Sequence, residues 1–462
     1  MPSFVYSKTG QGGLDEKEVL MCAIFGVFNT KKAAEITVIG LHANQHRAID
    51  FAGIVSSDGQ YLYRERGAGL ARQVFSSEML THLHGPNALG HLRYPTVDDD
   101  SSRDNVQPVM GIYKGVQIAI VHNGNVTNVA ELKARMHGVG FTTSLDTEVI
   151  LRLISTQCSG SVEDDLAQVA PHIQGSATLG ILLPDRLIAF RDTSGNRPLS
   201  IGKHGDSYAV SSETCAFANV GMEWVRDVEP GEIVTLSNNG ITSRMLIQKP
   251  ALKKCRFEGI YYSHPSSTVF DESVTYFRLR LGRALEQHCP ARGADIVTPV
   301  PDSATFMALG YGESGNSGRY LPVITRNHYV GRTFIAATQA KRDEEVSQKF
   351  NFSHAEIVGR SIVVIDDSIV RGTTSPKIVA LLRQLKAREV HVRIGSPPIT
   401  HSCRYGINTP KREKLIASHK DVEEIRVWMG ADSLGFLPLE VLKSLSPHPQ
   451  SWCFSCMTGE YW

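Results

Sequence analysis

The chain has 462 residues, of which 42% are hydrophobic and 21% charged, a composition typical of a soluble globular protein with more than one domain. Its 48 basic and 47 acidic side chains give a formal net charge of +1, which argues against a surface broadly adapted to nucleic acid or another polyanion. Eight cysteines in a chain of this length do not make a disulfide framework.

The first 21 residues are expected to form a leader or propeptide outside the folded core. Residues 1–20 are polar and glycine-rich. The apolar run from Val19 to Phe28 is too short to span a bilayer, and it follows the charged sequence Asp-Glu-Lys-Glu, where a signal peptide requires net positive charge. We therefore predict a core strand in this run and a cytoplasmic protein without a membrane partner.

Strand-like segments with two helical stretches between them follow as far as about residue 254. The clearest strand signals are the segments VQIAIVHNG, TLGILLPDRLIAFRD, SYAVSSE and EIVTLSNNGITS. This alternation favours two sheets packed face to face with helices outside, an αββα sandwich. Cys22 stands at the start of the first strand, where a cysteine is most often a small buried residue.

Four polar motifs give Cys22 a different interpretation. They are His91 to Thr96 (HLRYPT), Asn105 to Pro108 (NVQP), His122 to Asn125 (HNGN) and Leu145 to Glu148 (LDTE). Together with Cys22 they resemble the motifs of the N-terminal-nucleophile (Ntn) glutamine amidotransferases. The resemblance implies that the Cys22 thiolate attacks the glutamine amide, with the α-amino group of the same residue as the base.

The same resemblance implies roles for four further residues. Asn123 and Gly124 would form the oxyanion hole, for which a side-chain amide and a backbone N–H are suitable donors. Arg93 would pair with the α-carboxylate of glutamine as a bidentate fork. Asp146 would hold the α-ammonium group of the substrate.

Two segments of this chain depart from the pattern of those relatives, and the position of Cys22 along the chain adds a separate condition. Their His-Arg-Gly-Gln-Glu segment reads HRAID here, from His46 to Asp50. A small glycine-containing loop is replaced by one with three consecutive acids, Asp98 to Asp100, which either weakens glutamine binding or forms a solvated turn away from the ligand. Cys22 has a free amine only without residues 1–21, either through removal of a propeptide or through translation from Met21. An intact residue 1 would exclude glutamine hydrolysis by this mechanism.

From about residue 255 the pattern changes to alternating strands and helices, which predicts a parallel α/β sheet with its ligand at the C-terminal strand ends. Ile362 to Ile365 is typical of a buried strand, and it ends in Asp366 and Asp367. The polar loop from Arg371 to Ser375 then leads into an amphipathic helix. Such a loop and helix N-terminus bind anions, whereas the two carboxylates suit sugar hydroxyls or Mg²⁺. The stretch predicts a phosphorylated sugar as ligand; the plainer interpretation is a buried strand that ends in solvated aspartates.

Two other segments of this half carry structural expectations. The turn formed by Pro301, Asp302 and Ser303 follows a strand and is expected to face Asp366, because parallel strands end at the same edge of a sheet. Gly310 to Leu321 is rich in glycine and serine and predicts a loop.

The stretch around Asp366 resembles the phosphoribosylpyrophosphate (PRPP) motif of type I phosphoribosyltransferases. Residues 22–462 as a whole resemble the amidophosphoribosyltransferases, through the motifs PVPDS, NHYVGRTFI, IDDSIVRGTTS and SPPI followed by YGI. The resemblance implies an Ntn-hydrolase sandwich over residues 22–254 and a type I phosphoribosyltransferase domain with a parallel sheet over residues 255–462. It also implies that ammonia from glutamine displaces pyrophosphate from PRPP to give 5-phosphoribosylamine, the committed precursor of purine nucleotides.

The resemblance assigns residues to this second site. Ser303, Asp366 and Asp367 match positions associated with Mg²⁺, which would neutralise the pyrophosphate leaving group. The segment from Asn327 to Asn351 matches a loop that closes over PRPP and excludes water, and in this chain it is acidic at Asp343 to Glu345. The residues assigned to PRPP binding are Asp366, Asp367, Arg371, Gly372, Thr373, Thr374, Tyr329, Arg332 and Lys349.

Four cysteines match the positions that hold a [4Fe-4S] cluster in one subset of the family. They are Cys255, Cys403, Cys453 and Cys456, of which the last two form a CxxC pair. Four thiolates are what a cubane cluster requires, and tetrahedral zinc accepts the same ligands. The resemblance favours the cluster, which would tie the C-terminal segment to the second domain.

The resemblance further implies a homotetramer that purine nucleotides inhibit. Two other functions are open at the level of sequence. One is a divergent paralogue whose phosphoribosyltransferase uses free ammonia while its glutaminase is silent. The other is a non-catalytic regulator that binds PRPP or nucleotides and uses its cluster to sense oxygen or iron. The pathway, general purine synthesis or a specialised nucleoside route, is also open.

Overall fold

The computed structural model describes residues 21–94, 103–248, 250–327 and 349–462. Within these residues, the first half of the chain forms two antiparallel sheets. Its strands are β1 (Ala23–Phe28), β2 (Phe51–Ser57), β3 (Leu62–Ala68), β4 (Asn87–Arg93), β5 (Val109–Tyr113), β6 (Val116–Val126), β7 (Gly175–Leu183), β8 (Arg186–Arg191), β9 (Ser200–His204), β10 (Ser207–Ser211), β11 (Glu223–Asp227), β12 (Glu232–Ser237) and β13 (Gly240–Met245). They line up as β11-β9-β10-β1-β4-β2-β3 in one sheet and as β13-β12-β8-β7-β6-β5 in the other.

Helices cover the outer faces of both sheets. They are α1 (Ala33–Ala43), α2 (Ala71–Val74), α3 (Ser77–Leu80), α4 (Val129–Ala134), α5 (Asp146–Gln157), α6 (Val162–Val169) and α7 (Cys215–Asn219), with 3₁₀ turns at Arg103–Asn105 and Ala170–His172. Phe25 of β1 packs with α1 and α7, whereas its neighbour Ile24 points the other way and packs with Leu89 and Val121 between the sheets. Ile150 of α5 lies in a third cluster, outside the second sheet. The predicted αββα sandwich is confirmed.

The first long apolar run of the chain lies in the core of this sandwich. All six residues of β1 are buried, and the strand pairs with β10 on one side and β4 on the other. The prediction of a core strand in this run is therefore confirmed. Among the residues that the structure describes, no helix combines the length and the apolar character needed to cross a bilayer.

The second half of the chain is built around a parallel sheet. The strands of this half of the chain are β14 (Lys254–Cys255), β15 (Thr268–Val269), β16 (Glu272–Ser273), β17 (Ile296–Pro299), β18 (Arg319–Tyr320), β19 (Ile324–Arg326), β20 (Phe350–Phe352), β21 (Ser361–Asp366), β22 (Glu389–Ile394), β23 (Ser433–Phe436) and β24 (Trp452–Cys453). Its helices are α8 (Val274–His288), α9 (Thr305–Gly312), α10 (His354–Ile357), α11 (Thr374–Gln384), α12 (Val422–Met429), α13 (Leu439–Ser444) and α14 (Ser455–Thr458), with a π-helical turn at Glu258–Tyr262 and 3₁₀ turns at Arg412–Lys414, Ile416–Ser418 and Pro449–Ser451.

The parallel sheet has the strand order β18-β17-β21-β22-β23. Helices α8 and α9 pack on one face, and α11 and α12 pack on the other. Pro299 lies opposite Ile365, so the turn after β17 and the acid pair at the end of β21 lie at the same edge of the sheet. The predicted parallel α/β fold is confirmed.

The prediction of a loop from Gly310 to Leu321 is wrong at both ends. Helix α9 continues to Gly312, and β18 occupies Arg319–Tyr320. A Cβ atom on Gly310 would lie 2.2 Å from the carbonyl oxygen of Leu279 in α8. Glycine therefore serves the close packing of two helices at this position and does not mark a turn.

Candidate functional site

Cys22 lies immediately before β1 and is half-buried. Its carbonyl oxygen accepts a hydrogen bond from Nε of Arg47 at 3.2 Å. Burial raises the pKa of the Cys22 thiol, while a hydrogen bond from the Tyr94 backbone and the charge of Arg93 act in the opposite direction. A thiol with a raised pKa needs a neighbouring base before it acts as a nucleophile.

Asn123 and Gly124 stand side by side in β6. The side chain of Asn123 is fully buried, and neither of its amide atoms has a hydrogen-bond partner within the described part of the chain. Such unpartnered buried amides are rare, and a functional role is a common reason for them. Gly124 has a φ of +156°, and a Cβ atom there would lie 2.1 Å from the carbonyl oxygen of Ser176. One strand thus carries both donor types of an oxyanion hole.

His122 precedes this pair, with both ring nitrogens close to oxygen atoms. Nδ1 lies 3.2 Å from Oδ1 of Asp146, and Nε2 lies 3.0 Å from the carbonyl oxygen of Ser176. An ionised carboxylate and a carbonyl only accept hydrogen bonds, so a ring that bonds to both carries two N–H groups and a positive charge. Burial alone would lower the pKa of His122, but Asp146 and Ser176 outweigh it and raise the pKa.

The contact with His122 also affects the protonation state of Asp146. Burial would raise the pKa of this carboxyl group, but His122 and the backbone N–H of Val126 lower it below its ordinary value. The Asp146 side chain is 20% exposed, whereas that of His122 is 1% exposed. Asp146 is therefore an ionised carboxylate that is still accessible to a cationic group of a ligand.

The charge on His122 predicts a contribution to stability that depends on pH. The titratable groups that face the ring are Asp146 on α5, Asp192 after β8 and His91 on β4. Because folding raises the His122 pKa, its stabilising contribution is fully present below the unfolded pKa of about 6.5 and is lost as the pH rises through the folded pKa. We expect the difference in unfolding free energy between the wild type and His122→Gln to shrink above about pH 6.5. Urea unfolding at a series of pH values measures it, and a difference that does not change with pH would contradict a charged His122.

A second site lies at the C-terminal edge of the parallel sheet. Asp366 and Asp367 are both buried, and Oγ of Ser303 donates to Oδ2 of Asp367 at 2.5 Å, so the two turns meet as expected. Burial and the neighbouring Asp367 raise the pKa of Asp366 well above its ordinary value, whereas Lys349 lowers it. Burial also raises the pKa of Asp367, against the effects of Ser303 and Arg278. A buried acid pair of this kind favours a cation or hydroxyl groups as its ligand.

The loop after this acid pair presents small polar residues to solvent. Thr373 and Thr374 are exposed, and Thr374 is the first residue of α11. Gly372 has a φ of +79°, and a Cβ atom there would lie 2.8 Å from the ring of Trp428, so the position requires glycine. Arg371 is half-buried next to it. Exposed hydroxyls at a helix N-terminus suit an anionic ligand.

Several predicted features lie outside the described residues. They are Tyr329, Arg332, the acidic segments Asp98 to Asp100 and Asp343 to Glu345, and the N-terminal residues 1–20. Both ends of the expected closing loop belong to the described residues. The backbone N–H of Asn327 at one end donates to the carbonyl oxygen of Lys349 at the other, at 2.9 Å. The two ends of that segment therefore lie side by side, close to Asp366.

The four candidate cluster ligands gather near the C-terminal segment. The parallel pairing of β14 with β24 places Cys255 directly opposite Cys453, and all four thiols are free. Burial raises the pKa of Cys255 to about 12 and that of Cys453 to about 11, and the nearby Cys403 adds to both shifts. Burial and these three cysteines also raise the pKa of Cys456. Within the described residues no three His, Cys, Asp or Glu side chains form a group that could hold a metal ion. The ligands of a cubane need not converge on one ion, because each thiolate binds a different iron.

Sequence reasoning missed a buried ion network beside the nucleophile. Arg47 donates to Glu213 at 2.6 Å and to both carboxylate oxygens of Glu258 at 3.0 Å, while Arg197 donates to Glu258 at 3.3 Å. All four side chains have no exposed surface. The only sequence signal was the HRAID segment that contains Arg47, since its partners lie 166 and 211 residues away along the chain. The network joins the two halves of the chain.

Comparisons with known proteins find relatives that cover nearly the whole chain. Residues 91–219 match the family model of a glutamine amidotransferase domain. The chain is 41% identical over 452 residues to the chloroplastic amidophosphoribosyltransferase of Glycine max, with 97% of this chain and 79% of that protein covered. It is 40% identical over 457 residues to the amidophosphoribosyltransferase of Bacillus subtilis (strain 168), with 97% and 94% covered.

The solved structure of glutamine PRPP amidotransferase from B. subtilis, in complex with ADP and GMP, has the same fold. It matches with a TM-score of 0.89 at 40% identity and covers 95% of this chain and 97% of that one. Similarity at this level extends through both sheets of the sandwich and the parallel sheet of the second half. The chain therefore belongs to the amidophosphoribosyltransferase family.

Proposed function

We propose that this chain is a glutamine-dependent amidophosphoribosyltransferase that forms 5-phosphoribosylamine from PRPP, the first committed step of de novo purine nucleotide synthesis. The observation that carries the proposal is that one chain holds two complementary sites. The first is an unpartnered amide of Asn123 in the half that contains Cys22. The second is a buried acid pair, Asp366 and Asp367, followed by a polar loop and a helix N-terminus. Residues 22–254 would hold the first reaction and residues 255–462 the second.

The first reaction uses groups around the nucleophile. Sγ of Cys22 attacks the amide carbon of glutamine, and its proton passes to the α-amino group of the same residue, which requires removal of the segment before it. The tetrahedral oxyanion accepts hydrogen bonds from Nδ2 of Asn123 and the N–H of Gly124. The C–N bond then breaks, ammonia leaves with the transferred proton, and water releases glutamate from the thioester. Arg93 and Asp146 bind the α-carboxylate and α-ammonium groups of the substrate.

The second reaction uses the edge of the parallel sheet. Asp366 and Asp367 would hold the ribose hydroxyls, while the loop from Arg371 to Thr374 binds a phosphate group of PRPP. Ammonia attacks the anomeric carbon of PRPP while the bond from that carbon to pyrophosphate breaks. The carboxylates stabilise the positive charge that develops on the ribose ring. Tyr329, Arg332 and Lys349 would contact PRPP from the closing loop.

Magnesium fits the donor set of this site. Ser303, Asp366 and Asp367 supply only oxygen atoms, and the two neighbouring carboxyl groups are both buried, which suits a hard divalent cation. When bound, the ion supplies neutralisation of the charge on the departing pyrophosphate. Removal of divalent cations with a chelator is expected to stop pyrophosphate release with either nitrogen donor.

We propose a [4Fe-4S] cluster on Cys255, Cys403, Cys453 and Cys456, where it would be structural and oxygen-sensitive. Protein purified without oxygen is expected to contain about four iron and four acid-labile sulfide atoms per chain. Cys403→Ser should lower the iron content. Cys158→Ser is the control, because Cys158 is exposed, and it should leave the iron content unchanged. One zinc ion per chain in place of iron would contradict the cluster and favour a tetrahedral zinc site.

Pyrophosphate release from PRPP tests the proposed function. Anaerobically purified protein is assayed with glutamine or ammonium as the nitrogen donor, and release is expected with both. Release with ammonium alone would identify the paralogue with a silent glutaminase, and release with neither would favour the ligand-binding regulator. Mass spectrometry of the native protein is expected to show Cys22 as the first residue.

Regulation and assembly belong to the same proposal. The related B. subtilis structure contains ADP and GMP, which supports purine nucleotides as inhibitors of this chain. A cytoplasmic homotetramer is the assembly that the sequence resemblance implies. Sedimentation velocity in the presence and absence of nucleotide tests the tetramer directly.

A further inference from the structure

A loop of the second half of the chain, Cys403 to Gly406, lies directly against β6, the strand of the first half that carries Asn123 and Gly124. Nδ2 of Asn125 donates to the carbonyl oxygen of Arg404 at 2.9 Å. A Cβ atom on Gly406 would lie 2.7 Å from the carbonyl carbon and oxygen of Gly124 and 2.8 Å from its Cα. The two glycine backbones are therefore in contact, and no side chain fits between them.

The loop is anchored on both sides. Nε and Nη2 of Arg197 both donate to the carbonyl oxygen of Tyr405, at 3.1 and 2.6 Å, and the Arg197 side chain is fully buried. The Tyr405 ring stacks on Trp462 with centroids 3.5 Å apart, and the N–H of Cys403 donates to Thr409 at 2.6 Å. Groups from both halves of the chain thus hold the backbone of the loop in one position.

This contact bears on the geometry of the oxyanion hole. Gly124 lies against Ser176 of β7 and also against Gly406. An N–H donor stabilises an oxyanion only when it points at the place where the charge develops, and a displacement of about 1 Å costs on the order of 10² in rate. The position of Gly124 is therefore set partly by a residue that belongs to the other catalytic half.

We propose that Gly406 is a positioning residue for glutamine hydrolysis, and that its loop holds the Gly124 N–H in place. The first half of the chain then completes its oxyanion hole only against the second half. This inference rests on the proposed function, since it assigns a residue to the glutaminase reaction.

The test is Gly406→Ala in the full chain, assayed for glutamate release and for pyrophosphate release with each nitrogen donor. We expect kcat with glutamine to fall on the order of 10²-fold, with little change in KM for glutamine and none in the ammonium-dependent reaction. Gly293→Ala is the matched control. Gly293 also has a positive φ, +82°, but a Cβ atom there would meet nothing within 4 Å, so the control reproduces the backbone strain without the contact.

Asn125→Ala provides a second variant for the case in which Gly406→Ala does not fold. It removes the bond to Arg404 and is expected to lower kcat with glutamine while ammonium still supports turnover. Equal behaviour of Gly406→Ala and Gly293→Ala, an equal loss with both donors in a folded variant, or an unchanged Asn125→Ala would overturn the inference. Absence of glutamate release from the wild type would instead remove the proposed glutaminase function, and the inference with it.

Discussion

Replacement of Cys22 by serine is expected to abolish pyrophosphate release with glutamine and to preserve it with ammonium. Loss of an enzyme's nucleophile typically costs several orders of magnitude in kcat, and we expect a fall on the order of 10⁴-fold or more. Cys22 is not among the groups that bond to Asp366 and Asp367 in the described part of the chain, where the two carboxyl groups accept hydrogen bonds from Ser303, Ser368 and the backbone N–H of Asp367. The ammonium-dependent reaction at the second site should therefore survive.

The ratio of the two activities measures this effect, because a folding defect lowers both together. Cys158→Ser is the matched control, since Cys158 is an exposed cysteine in the same half of the chain. It should leave both activities unchanged. Retention of glutamine-dependent turnover by Cys22→Ser would show that another group attacks the amide, and would remove the role assigned to Cys22.

The fold was predictable from sequence because its elements carry strong local patterns. The run that contains β1 and the stretch Ile362 to Ile365 are short and apolar, the second consists of β-branched residues alone, and both form buried strands. The glycines of Gly310 to Gly312 misled the prediction. Gly310 allows the close approach of α8, whereas Gly312 lies against Tyr320 of β18, and such contacts between separate elements leave no periodic signal in the sequence.

The candidate sites likewise contain residues that the sequence predicted and contacts that it did not. Asn123, Asp366 and Gly372 were selected by short motifs, and the structure finds each in a position that constrains its chemistry: an unpartnered buried amide, a buried acid and a glycine with positive φ. The contact of Gly406 with Gly124 joins segments that are far apart along the chain, and so does the ion pair of Arg47 with Glu258. A single sequence records no such pairing, so only the three-dimensional structure reveals it.

The buried ion network holds the two halves of the chain together through charge balance. Two fully buried arginines, Arg47 and Arg197, face two fully buried glutamates, Glu213 and Glu258, so these four charges balance; the partly exposed His46 lies at the edge of the network, with Nε2 2.9 Å from Glu213. Glu258 accepts hydrogen bonds from both arginines. Charged groups taken out of water cost several kcal/mol each, and their pairing offsets that cost only while every charge keeps its partner.

Glu258→Gln is therefore expected to destabilise the protein by about 3–5 kcal/mol, because it leaves one buried positive charge without a counter-charge. Urea unfolding gives the change from the shift in midpoint at constant m-value. Glu440→Gln is the matched control, because Glu440 is 80% exposed and pairs with Lys443 at 2.9 Å, and its replacement should cause no measurable change.

A second substitution separates lost charge balance from lost packing. Adding Arg197→Met to Glu258→Gln balances the remaining charges of Arg47 and Glu213, so the double variant should recover much of the lost stability even though two charged side chains have been replaced. A double variant less stable than Glu258→Gln alone would mean that the hydrogen bonds of Arg197 to Tyr405 matter more than the balance of charge. The packing of the second half onto Gly124 would then depend on Arg197 itself. In that case the double variant should also show a larger loss of glutamine-dependent turnover than of the ammonium-dependent reaction.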